Sequence, residues 1–113
     1  SADSGVSPFC CYGQFSRLAG ADAAIFTSFG GRFPFTEKVC RKICDGTETE
    51  MGGLRSIFPV PSGGMKWQLF KKMVQVYGPD AIFLVGGALL TESDDLTANM
   101  HFYFEKLNEA VNK

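Results

Sequence analysis

The sequence predicts an α/β fold with parallel strands. Three observations carry this. Short apolar runs alternate with helix-length segments along the chain. Those runs, at about residues 22–27, 56–62 and 80–87, are almost continuously apolar. Two of them, "IFPVPSGG" and "AIFLVGG", stop at paired glycines, with one helix-length segment between them. Alternating strands and helices build parallel sheets joined by right-handed crossovers. Near-continuous apolar strands are expected where both sheet faces are buried.

The elements follow in order. Residues 1–5, "SADSG", form a lead-in, and the domain runs over 6–113. Ser7-Pro8 is a helix start, because Ser caps and Pro tolerates the first turn. "FCCYGQFSRLAG" continues as a helix and stops at Gly20. "ADAAIFTS" is the first strand, and "FGGRFPF" a glycine-rich loop. Thr36 opens the next helix, with Val39, Cys40, Ile43 and Cys44 on one face. "DGTETEMGGLR" is polar and loose.

"SIFPVPS" is the second strand, although each of its prolines removes a ladder donor. "MKWQLFKKMVQVYG" is an amphipathic helix presenting Leu69, Phe70, Met73, Val74 and Tyr77, with Trp67 packing against it. Gly78-Pro79 ends that helix. "DAIFLVGG" is the third strand. A last helix covers about 93–112, with Leu96, Met100, Tyr103, Leu107 and Val111 as its inward stripe.

The totals bound the function. At 113 residues, 45% hydrophobic and 20% charged, the chain supports one small domain with a core. A net charge of -1 argues against non-specific nucleic-acid binding. No apolar run approaches the ~20 residues of a membrane span. Cys10, Cys11, Cys40 and Cys44 match no common zinc or redox spacing and read as small buried apolar residues in a reducing cytoplasm. His101, the only histidine, sits in a helical pattern and reads as structural.

The paired glycines have a chemical reading. Ligands of parallel α/β proteins sit at the C-terminal strand ends. Glycine there lets backbone N–H groups approach an anion with no Cβ in the way. Two successive strands ending in Gly-Gly therefore suit phosphate. Gly63, Gly64, Gly86 and Gly87 are the candidate phosphate-binding residues. On pattern alone, a small open sheet and a slice of a (β/α)8 barrel both fit, but a whole barrel needs ~250 residues.

"RLAGAD" before an apolar strand, "GGRF", "PVPSGG" and "YGPDAIFLVGGA" resemble, in this order and spacing, the RuBisCO large-subunit superfamily. The likeness is to its non-carboxylating RuBisCO-like members and covers about residues 6–112. It implies a partial (β/α)8 TIM barrel holding strands six to eight with flanking helices. It also implies that Ser62 and Gly64 contact a sugar phosphate after strand seven, and that Gly86 and Gly87 hold the same phosphate. Arg32 takes the place of the family's loop-six lysine and is the candidate catalytic residue.

The departures matter. A guanidinium fork is not an ammonium. Ile25 and "FTS" replace a histidine and threonine near strand six, Ala88 replaces a third glycine, and "TES" replaces a His-Pro. Carboxylation is therefore not expected. The resemblance implies a parent that enolises, isomerises or decarboxylates a keto-sugar phosphate. It further implies Mg2+ in the parent, held by a lysine and acids on strands outside this chain.

Asp45, Glu48, Glu50, Glu92, Asp94 and Asp95 read as solvated loop residues. Taken alone, the 113 residues are expected to be inactive, to lack the N-terminal part of the barrel, and to self-associate through open edges. The alternatives are a non-catalytic oligomerising fragment with a vestigial phosphate site, and an unrelated flavodoxin-like module. The latter lacks its glycine-rich loop after a first strand.

Overall fold

A computed structural model describes residues 5–112, so Ser1–Ser4 of the lead-in lie outside the described residues. The first helix forms as expected but in two geometries. A π-helical stretch, Phe9–Gln14, runs into α1, Phe15–Leu18. The Ser7 hydroxyl accepts from the Cys10 N–H at 3.2 Å. Gly20 then turns the chain at φ 87°. Strand β1 is Ala23–Thr27.

Helix α2, Glu37–Glu48, is capped by Thr36, whose Oγ1 accepts from the Val39 N–H at 3.2 Å. It buries Cys40, Ile43 and Cys44. It also extends beyond expectation, taking in Asp45–Glu48 from the stretch read as loose. The reason lies in tertiary packing. The π-helical stretch crosses α2 with no side chain between them: a Cβ on Gly13 would lie 2.5 Å from the Gly46 carbonyl carbon. Gly46, a poor helix former in isolation, is held helical by that crossing.

Arg17 adds a second tie. It is 4% exposed, and its guanidinium donates to the carbonyls of Gly46, Thr49, Leu54 and Arg55. A cation at a helix C-terminus satisfies orphan carbonyls and complements the helix dipole.

Strand β2, Phe58–Ser62, pairs in parallel with β1, with Ile25 opposite Val60 and Thr27 opposite Ser62. Its prolines occupy the alternate positions. Phe58 donates to the Asp22 carbonyl, and the Ser62 carbonyl accepts from Ser28, so the odd-numbered positions face away from β1. There the Pro59 and Pro61 carbonyls accept from the N–H groups of Ile82 and Leu84, at 3.0 and 3.1 Å. The prolines return no donor.

The third strand expected over 80–87 is therefore not a strand. It is an extended segment tied on one side, with a single bridge between Ser62 and Leu84, and the sheet has two strands.

After β2, a 3-10 turn at Trp67–Leu69 leads into α3, Phe70–Tyr77, which ends at Gly78 with φ 79°. Val76, rather than Val74, is the buried valine of α3. A short α4, Gly87–Leu90, precedes α5, Leu96–Asn112. Asp95 caps α5, its Oδ1 accepting from the Ala98 N–H at 3.0 Å.

The core joins Phe26 to Cys40, Ile43, Met65, Phe70, Met73, Tyr77 and Tyr103. It lies on one side of the sheet, among α2, α3 and α5. On the other side Ile25, Phe58, Ile82 and Leu84 are exposed, with Val60 buried among them. The strands are thus not buried on both faces as their composition led one to expect. The inward stripe of α5 also differs. Tyr103 is buried and Leu107 packs on the core with Phe102 and Ala110, whereas Leu96, Met100 and Val111 face out.

Among the described residues, no helix is long and apolar enough to cross a membrane.

Candidate functional site

The C-terminal ends of β1, β2 and the third segment lie side by side. Thr27 is opposite Ser62, and Ser62 is bridged to Leu84. Gly64 and Gly86 each stand two residues beyond a bridged position, on neighbouring segments. The paired glycines thus come to the same end of the sheet.

Gly63 and Gly64 have φ 78° and 64°, the left-handed region where glycine carries no penalty. The Gly64 carbonyl accepts from Lys66, which closes the turn. Among the described residues, the N–H groups of Gly64 and Gly86 donate to no protein acceptor. Gly87 is the first residue of α4, so its N–H has no intrahelical partner. Gly63, Gly86 and Gly87 are exposed and Gly64 half-buried.

Ser62 is half-buried, and its hydroxyl donates to the Phe26 carbonyl at 3.0 Å. A hydroxyl has one proton. In this arrangement Ser62 stitches β2 to β1 and offers an incoming anion lone pairs, not a donor. The free donors at this end are backbone N–H groups.

Arg32 follows Gly31 in the loop after β1. It is exposed, with its guanidinium carbon 5.2 Å from the centre of the Phe33 ring. The sheet floor beneath the glycines carries Thr27, Ser62 and Leu84, then Ile25, Val60 and Ile82. The floor is therefore uncharged.

Behind this end lies a buried polar pair. Ser28 and Tyr77 share a hydrogen bond of 2.7 Å. Burial pushes the Tyr77 hydroxyl and the Cys40 thiol up from their ordinary values, and pushes Cys44 up to about 12. These groups stay protonated and serve packing. Cys10 is half-buried and Cys11 exposed, contrary to the expectation that all four thiols are inside. His101 is exposed on α5.

Of the acidic residues read as loop, Asp45 and Glu48 belong to α2, Glu50 accepts from the Gly53 N–H, and Asp95 caps α5. Among the described residues, no three His, Cys, Asp or Glu side chains converge as a metal requires.

The loops after β1 and β2 meet at Gly31 and Gly64, where a Cβ on Gly64 would lie 2.5 Å from the Gly31 Cα; neither this approach nor the role of Arg17 is legible in the sequence. Arg17 looks like any helix-surface arginine until the loop it clamps is in place. Gly31 was legible only as half of another Gly-Gly pair.

No family model matches this sequence. The chain is 42% identical over 92 residues to 5-methylthioribulose-1-phosphate isomerase of Rhodospirillum rubrum, covering 81% of this chain and 25% of that protein. It is 34% identical over 85 residues to 2,3-diketo-5-methylthiopentyl-1-phosphate enolase of Geobacillus thermodenitrificans, covering 75% and 21%. The crystal structure of a rubisco-like protein from Alicyclobacillus acidocaldarius superposes with a TM-score of 0.82 at 25% identity, covering 95% of this chain and 27% of that one. The chain spans about a quarter of the length of the curated relatives it matches.

Proposed function

From its homology to the C-terminal part of the RuBisCO-like proteins, we propose that this chain is the phosphate-binding portion of a sugar-phosphate enzyme. The parent reaction is enolisation or isomerisation of a phosphorylated keto-sugar, not fixation of CO2. One observation carries the reading: the unpaired N–H groups of Gly64, Gly86 and Gly87 gather at the C-terminal ends of parallel segments. Backbone donors in such a cluster bind an oxyanion without desolvating a side-chain charge.

In this reading Gly63, Gly64, Gly86 and Gly87 cradle the phosphate. Ser62 orients the β2 end through the Phe26 carbonyl, and Arg32, on the loop after β1, supplies positive charge. The names of the relatives support a substrate carrying one phosphate. The remaining barrel strands, with the metal and the base, come from polypeptide beyond these residues. The exposed apolar face of Ile25, Phe58, Ile82 and Leu84 supports that incompleteness. The same face favours a second reading, an oligomerising module with a vestigial site. A cytoplasmic location fits both.

A chimera tests the proposal. This chain replaces the matching quarter of the Rhodospirillum rubrum isomerase, and turnover of 5-methylthioribulose-1-phosphate is measured. Retained turnover is the expected result. A folded, soluble chimera that binds no substrate phosphate would overturn the reading.

A further inference from the structure

Trp67, the only tryptophan, stands on the 3-10 turn before α3 and packs edge-on against Phe102 of α5, with ring centres 5.4 Å apart. Lys106, one turn further along α5, lies over both rings, its Nζ 4.9 Å from the centre of Trp67 and 5.3 Å from that of Phe102. The same ammonium reaches Glu109 at 3.4 Å. The indole Nε1–H is buried and donates to nothing. Among the described residues it is the one buried side-chain polar atom without a partner. Native folds rarely leave such a donor orphaned, because its hydrogen bond to water is lost and not replaced. Trp67 also lines a cavity of about 370 Å³ with Gln68, Phe70, Lys71, Lys106 and Glu109.

We propose that this cavity binds a small carboxylate on an apolar body: Lys71 and Lys106 pair with its charge, and the Trp67 N–H donates to one of its oxygens. The chemistry of the lining selects that class. An indole N–H and two ammoniums are donors only, so the ligand must bring the acceptor. Lys71 and Lys106 against Glu109 leave a positive charge unmatched, which a carboxylate balances. The aromatic rings and the lysine stems offer the rest of the ligand apolar contact. The volume falls within the ~300–1,000 Å³ of small-molecule sites. Lys106 is the moving part. Its contact with the rings and its pair with Glu109 are both weak at a surface. Turning the ammonium from the rings to the ligand lets Nε1 meet a carboxylate oxygen. None of the paired glycines takes part, so the inference stands apart from the phosphate reading.

The test uses the whole 15N-labelled chain with 3-phenylpropionate as the probe, followed by NMR. A single tryptophan gives one indole N–H signal, which reports on this site. The acid is expected to move that signal downfield and saturably, as a newly accepted hydrogen bond would. 3-Phenylpropanol, the same body without the charge, is expected to leave it in place. Acetate, the charge without the body, is expected to bind about tenfold more weakly.

Lys71→Met and Lys106→Met keep the apolar stems, and each is expected to weaken the acid about fivefold. Glu109→Gln removes the competitor for Lys106 and is expected to tighten binding about threefold. An indole signal that ignores the acid in the folded chain would overturn the inference and leave the N–H to water. A shift that the alcohol reproduces, acetate bound as tightly as the larger acid, or lysine variants of undiminished affinity would overturn it as well.

Discussion

Arg17 shows how one side chain fixes a long connection. Its guanidinium reaches four carbonyls, two at the α2 end and two in the loop that feeds β2. Arg17→Met leaves those carbonyls without their donor and is expected to cost about 3 kcal/mol. Arg17→Lys keeps the charge but loses the fork and is expected to cost about 2 kcal/mol. Both are read from the urea midpoint.

The thiols give a second residue-scale test. Cys11 is exposed and is expected to react first with a thiol reagent, Cys10 next, and Cys40 and Cys44 only on unfolding. Cys44 holds its proton to about 12 when folded, against an ordinary 9.0. Its contribution is complete below pH 9 and is lost as pH climbs from there through about 12. Cys40 and Tyr77, also raised by burial, act with the same sign. The urea midpoint is therefore expected to hold level up to pH 8 and to fall by pH 10.

At the scale of elements, the two prolines of β2 decide what the third segment becomes. Their carbonyls accept from Ile82 and Leu84, but no donor returns, and pairing stops at one bridge. Pro61→Val restores a donor facing the Ile82 carbonyl. The expected result is a slowly exchanging amide at position 61 and a longer ladder. An amide at 61 that exchanges like a loop would contradict this.

Much of the element order was legible because turn chemistry and periodicity agree with the fold. Thr36 caps as its position implies, and Gly20 and Gly78 stop their helices. The illegible parts are those where tertiary contact overrides local preference. Gly46 stays helical because the π-helical stretch crosses there. Leu96, Met100 and Val111 look like a core stripe by spacing, yet face out. Gly13→Ala would push a methyl into the Gly46 backbone and is expected to cost about 2–3 kcal/mol by the same urea measurement.

For the whole molecule, the sheet is covered on one side only. Ile25, Phe58, Ile82 and Leu84 face out together, and the free edge of the third segment continues into a groove of about 280 Å³ under α5, lined by Phe70, Leu89, Met100 and Phe104. Exposed contiguous apolar surface favours association. Light scattering is expected to find the isolated chain associated rather than monomeric.

That the paired glycines come to one end of the sheet was legible in the sequence because each pair closes a short apolar run. The use of the Ser62 proton on Phe26 was not, since it depends on the β1–β2 register.

The most direct measurement is a phosphate titration of the 15N-labelled chain followed by NMR. Saturable shifts at Gly64, Gly86 and Gly87, lost above physiological salt less readily than contacts to surface lysines, are the expected result. Shifts confined to exposed lysines, with the three glycine amides unmoved, would contradict a phosphate site at this end of the sheet.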